Sequence, residues 1–152
     1  MSKEFNRIIV PTDGSDEAKK AVKKALFMAK HLGTDVVAMY VIDTSFLARF
    51  PSPDDIMSFN WDKFLQKEAL DALDKVEKMG KRMGIKVIKK MVEGIPDEEI
   101  IKEARKDDLI VMGSKGKTAL DRILLGSVSE KVVHHASCPV MIVREGKKEA
   151  SK

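Results

Sequence analysis

Apolar positions follow two alternating periods along the chain. Ile8, Ile9 and Val10 form a short, wholly β-branched run, the pattern of a strand covered on both faces. A strand is therefore predicted over residues 7–11. Pro11, Thr12, Asp13 and Gly14 break it, and Ser15 or Asp16 can cap a following helix. Ala18, Ala21, Val22, Ala25, Leu26, Ala29 and Leu32 then recur at helical spacing, giving one apolar face. Lys19, Lys20, Lys23 and Lys24 fall on the other side as a solvated face, and Gly33 is a natural helix end. A second apolar run predicts a strand over 35–42. The pattern dissolves over 43–60, where Pro51 and Pro53 accompany Phe46, Phe50 and Phe59. That stretch reads either as a lid or as a packed irregular connection.

A long helix is predicted over 62–83, with Leu65, Ala69, Ala72, Leu73, Val76, Met79 and Met83 in one stripe. The third strand, 85–92, holds more lysine than the others and belongs at an edge. Pro96 suits a first helical position, and Asp97, Glu98 and Glu99 suit the dipole there. Ile100, Ile101 and Ala104 face inward from that short helix. Leu109 to Met112 is the fourth strand; Val128, Val132, Val133 and Ala136 mark the last helix; Val140 to Val143 is the last strand. The alternation β-α-β-α-β-α-β-α-β predicts an α/β fold with a mostly parallel sheet, helices on both faces and right-handed crossovers.

Composition narrows the class. The chain has 152 residues, 43% hydrophobic and 34% charged, the size and balance of one globular domain. A domain over 1–146 and a flexible tail over 147–152 are expected. No apolar run approaches the roughly 20 residues that span a bilayer, and the start lacks an apolar signal segment, so a cytoplasmic protein without a membrane partner is expected. Cys138 is the only cysteine, which excludes an internal disulfide and reads as a structural thiol. The net charge is +4, but the lysines are scattered among acids and no recognition motif is present, so no nucleic-acid partner is expected. Adjacent His134 and His135 point in different directions on a helix and make no metal pair.

The chemistry concentrates in 112–129. Gly113, Gly116 and Gly126 follow the fourth strand, and Ser127 and Ser129 open a helix. Glycines allow close backbone approach, and helix-start N–H groups attract phosphate. Glu130, three residues after Ser127, gives a capping-box pattern. The stretch is neither a Walker A loop nor the dinucleotide Gly-x-Gly-x-x-Gly. Gly-x2-Gly-x9-Gly-Ser, from Gly113 through Gly116 to Gly126 and Ser127, resembles the nucleotide-binding signature of the universal stress protein family. The start (Ile8 through Ser15) and the end (Ala136 through Val143) are similar to that family as well. The resemblance covers roughly residues 5–144.

The resemblance implies a single-domain Rossmann-like, flavodoxin-type, five-stranded parallel sheet in order 3-2-1-4-5. In such a sheet ligands bind at the carboxyl ends where the order reverses, here between the first and fourth strands. Pro11, Thr12 and Asp13 then meet Met112 and Gly113. Gly113, Gly116, Gly126, Ser127 and Ser129 are expected to hold phosphates and ribose, with the N–H groups of Lys115, Ser127 and Val128 as donors. Ala38, Val41 and Pro11 are expected to line an adenine pocket. Asp13 is placed to bond a ribose hydroxyl or to meet a phosphate-bound Mg²⁺, directly or through water. Lys115 and Lys117 could neutralise phosphate charge. No placed general base, arginine finger or Ser-His-Asp set is evident.

The expected function is an ATP-binding, nucleotide-dependent regulator or sensor, at most a slow ATPase. The alternatives are a nucleotide-independent dimeric interaction module of the same family and, more remotely, an adenylyl-transferring enzyme. A homodimer through Val140, Met141, Ile142 and Val143 is expected, because an apolar edge strand tends to pair with another chain.

Overall fold

A computed structural model describes residues 4–45, 61–115 and 125–144. The segment 46–60, Gly116, Lys117 and the tail 147–152, to which the readings above also refer, lie outside the described residues. In chain order the elements are β1 (Arg7–Pro11), α1 (Asp16–Leu32), β2 (Asp35–Asp43), α2 (Trp61–Arg82), β3 (Val87–Gly94), α3 (Pro96–Glu103), β4 (Asp108–Gly113), α4 (Ser127–His135) and β5 (Val140–Val143). The five strands make one parallel sheet in order β3-β2-β1-β4-β5. This is the order that the resemblance implied.

Side-chain alternation along the strands divides the core in two. On one face Ile8, Val10, Val36, Ala38, Leu109 and Val111 pack with Ala21, Val22 and Leu26 of α1 and Leu73 and Val76 of α2. On the other face Ile9, Val37, Met39, Ile110 and Met112 pack with Ile100 of α3 and Val132 of α4. Ser15 caps α1 by accepting the Ala18 N–H at 3.1 Å. Gly33 closes the helix at φ 69°, a left-handed conformation that suits glycine.

Local differences from the predicted elements have local causes. Leu32 is exposed at the end of α1 and leaves the apolar stripe. Strand β3 begins at Val87, two residues late, because Ile85 is held by its N–H to the Gly80 carbonyl at 2.9 Å. Its edge position is as expected: Ile88 and Met91 are exposed, and β3 pairs only with β2.

At the amino ends of β1 and β4, away from the crevice, a group of charges ties four elements together: β1, β3, α3 and β4. Arg7 Nε donates to both carboxylate oxygens of Asp108, at 3.1 and 3.2 Å, and Arg7 also meets the Glu103 carboxylate at 2.9 Å. Lys90 bonds the other oxygen of Glu103. Asp108 is fully buried and accepts the Arg105 N–H at 2.8 Å. Burial alone would raise the Glu103 carboxyl, but hydrogen bonds from Lys90 and Arg7 hold it below its ordinary value. The acidic turn before β4 is legible in the sequence; its pairing with Arg7, 101 residues away for Asp108, is not.

Candidate nucleotide site

The sheet opens where its order reverses. Strands β1 and β4 pair from Arg7↔Asp108 to Ile9↔Ile110. Beyond that point β1 stays with β2 as far as Pro11↔Met39, and β4 stays with β5 as far as Gly113↔Val143. The two central strands therefore part at their carboxyl ends and leave a crevice between Pro11–Asp13 and Met112–Gly113. This brings together residues a hundred positions apart, as the implied order required.

One wall is a tight turn. Thr12 is buried and continues the ladder through its N–H to the Met39 carbonyl at 2.8 Å. Its Oγ1 accepts the Gly14 N–H at 3.1 Å, and Asp13 Oδ1 accepts the Ser15 N–H at 2.9 Å. Gly14 has φ 80°, which a residue with a Cβ resists; a Cβ there would also lie 3.8 Å from that of Ala72. Burial first, then the charges of Glu68 and Asp13, push the Tyr40 phenol above its ordinary value. The Asp13 carboxylate is thus an electrostatic neighbour of Tyr40 on the α2 side of the turn.

The other wall is the exit of β4 folded against the start of α4. Gly113 abuts the first turn of α1: a Cβ would come within 3.2 Å of the Glu17 carbonyl oxygen. Ser114 is buried; its N–H donates to the Val143 carbonyl at 3.2 Å, and its own carbonyl accepts the Gly126 N–H at 2.6 Å. Ser129 Oγ donates to the Gly113 carbonyl at 2.8 Å. Two bonds therefore fasten the start of α4 to the end of β4. The first N–H groups of a helix have no acceptor within it, so those of Ser127 and Val128 stand at the crevice with the positive end of the helix dipole. Lys115 is half-buried beside them.

Several expected roles change. The capping box is not formed: Gly126 is the N-cap, no side chain caps α4, and Ser127 is its exposed first residue. Gly126 has φ −72°, so close packing, not an unusual backbone angle, accounts for a glycine there. Ala38 is fully buried in the α1/α2 side of the core, so its side chain presents nothing to a ligand. Val41 lies an odd number of residues away and so faces the opposite side of the sheet, where it packs half-buried with the second core cluster. Pro11 and Met112 share that face with Ile9 and Ile110 by the same alternation. Ser129 is 3% exposed, and its hydroxyl proton is committed to Gly113. Ser114, which carries two of the bonds shaping the loop, was missed; a serine after an apolar strand gives no signal of its own.

Among the described residues no group of three or more His, Cys, Asp or Glu side chains could hold a metal ion. Among the described residues no helix is long and apolar enough to cross a membrane.

Comparison with known proteins agrees with this architecture. Universal stress protein MJ0531 of Methanocaldococcus jannaschii is 43% identical over 150 residues, covering 95% of this chain and 85% of that protein. The solved structure of MJ0577, a universal stress protein of the same organism, superposes with a TM-score of 0.81 at 33% identity, covering 95% of this chain and 99% of the other. A universal stress protein solved in complex with cAMP superposes at 0.67 with 24% identity, covering 93% and 98%, a likeness of fold alone. The model of the universal stress protein family matches residues 4–144, and the chain belongs to that family.

Proposed function

We propose that this chain binds ATP with Mg²⁺ in the β1–β4 crevice and acts as a nucleotide-dependent regulator or sensor, at most hydrolysing ATP slowly. The observation that carries the reading is the parting of β1 and β4 beyond Ile9↔Ile110, with a helix start fastened to the β4 wall by the Gly126–Ser114 and Ser129–Gly113 bonds. Phosphate belongs at the N–H groups of Ser127 and Val128 and beside Lys115. The adenine belongs against Pro11 and Val41, which are only half-buried, above the buried Met112. Asp13 belongs to the ribose or to the Mg²⁺. Among the described residues the walls offer hydrogen-bond donors and apolar surface, and we identify no group there as a general base. That combination favours binding over turnover.

Isothermal calorimetry with ATP and with GTP, each with Mg²⁺, tests the site. Heat with ATP and a weaker response with GTP is expected. Equal affinities would remove the base preference, and no heat with either would remove the site.

The dimeric reading rests on a separate observation. Strand β5 lies at the sheet edge, and all four of its residues are only partly buried. A two-fold axis would let β5 pair with its own copy. If the purified chain dimerises without taking up nucleotide, the nucleotide-independent interaction module becomes the better account.

A further inference from the structure

Charge is segregated on one helix. After a first turn that holds Asp16 and Glu17, α1 carries Lys19, Lys20, Lys23, Lys24, Lys30 and His31 and no further aspartate or glutamate. Helix α2, by contrast, mixes both signs along its length. The five lysines outnumber the net charge of the whole chain, +4, and all are exposed. Ala18, Ala21, Val22, Ala25, Leu26 and Ala29 take the buried side, so the lysines share the outward side of one straight helix.

At the centre of this face stands an apolar ring. Phe27 is 53% exposed. Lys23, Lys24, Lys30 and His31 lie four and three residues before it and three and four after it, the positions that surround a residue on a helix surface. His31 lies with its ring 4.4 Å from that of Phe27 and its Nδ1 2.9 Å from the Phe27 carbonyl. This holds the two rings together at the surface.

We propose that the outward face of α1 is a peripheral docking surface for an anionic lipid bilayer. Lysines around the rim of a helix face with an aromatic at its centre match the interfacial mode of binding, in which ammonium groups meet anionic headgroups while an apolar side chain enters the acyl boundary. The face carries no arginine, asparagine or glutamine to read base edges, which favours a lipid surface over nucleic acid. The absence of a spanning helix does not bear on such a contact.

The test is co-sedimentation of the full chain with vesicles of phosphatidylcholine alone and of phosphatidylcholine with phosphatidylglycerol, at low and at physiological salt. Binding to the anionic vesicles only, weakened by salt, is expected. The double variant Lys19→Glu, Lys23→Glu is expected to lower partitioning by about tenfold or more, and Phe27→Ser to lower it at constant charge. Circular dichroism checks that each variant folds; the salt and lipid series on the unmodified chain stands without them. Equal binding to neutral vesicles, no binding to either, or a double variant that binds as well as the parent would overturn the proposal. Salt-sensitive binding to duplex DNA in place of vesicles would overturn it as well.

Discussion

Replacing Gly126 by alanine and by valine separates the two ways a glycine can matter in this loop. At φ −72° and ψ 168° any residue is allowed, so neither variant suffers backbone strain. Space is the constraint: an added Cβ would lie 3.3 Å from Lys115 Cα and 3.5 Å from the Ser114 carbonyl oxygen, both backbone atoms. Alanine needs a shift of a few tenths of an ångström. It also loses a good N-cap at about 0.5–1 kcal/mol, offset by about 0.4–1 kcal/mol from the stiffer unfolded chain. Its net effect on stability should be within about 1 kcal/mol. Valine adds two further carbons against the same backbone and should cost about 1–3 kcal/mol through overpacking. With a typical stability of about 5–15 kcal/mol the domain stays folded, and the urea midpoint falls by about 1 M. The displaced segment, Ser114 and Lys115, is the wall proposed for phosphate, so ATP affinity should drop sharply in the valine variant and little in alanine. Urea titration by circular dichroism and calorimetry with ATP measure the two quantities. A native valine variant that binds ATP unchanged would refute the placement of the phosphate. An alanine variant destabilised by more than about 2 kcal/mol would refute the packing argument.

Four further outcomes are expected. ATP should bind in preference to GTP by calorimetry, as set out above. Val143→Lys should convert a dimer to a monomer in light scattering while ATP binding persists. It also removes a partly buried contact with the core, so a stability loss of about 1 kcal/mol accompanies it; a monomeric parent or a dimeric variant refutes the β5 interface. Asp108→Ala should cost about 3 kcal/mol in urea denaturation, because it removes the buried acceptor of Arg7 and of the Arg105 N–H and leaves Arg7, among the described residues, only Glu103 as a counter-charge, and should leave nucleotide affinity nearly unchanged at the far end of the sheet. The lowered Glu103 carboxyl contributes stability that is present above its ordinary value of 4.5 and is lost as pH falls through the lower folded value; Glu103→Gln should flatten that acid limb of a stability-against-pH curve.

Local information in the sequence determined the kinds of element and their succession. Ile8, Ile9 and Val10 could be little but a buried strand, and the stripe from Ala18 to Ala29 little but a helix, because each pattern repeats within a few residues. Ser15, Gly33 and Pro96 marked ends through their own backbone and hydrogen-bonding chemistry, which needs no distant partner. The strand order came from a resemblance and not from any period, since periodicity says nothing about which strands are neighbours. Tertiary structure decided the rest. Alternation alone puts Ala38 and Val41 of one apolar run on opposite faces, but only the packing of the sheet decides that the Ala38 face is the one covered by α1 and α2. Ser127 had the sequence of a cap, but the bond from the Gly126 N–H to the Ser114 carbonyl fixes the helix start one residue earlier. Asp108 looked like part of a polar turn until Arg7 closed on it from another strand. In each case the deciding contact joins residues far apart in the chain, and only the folded sheet brings them within reach.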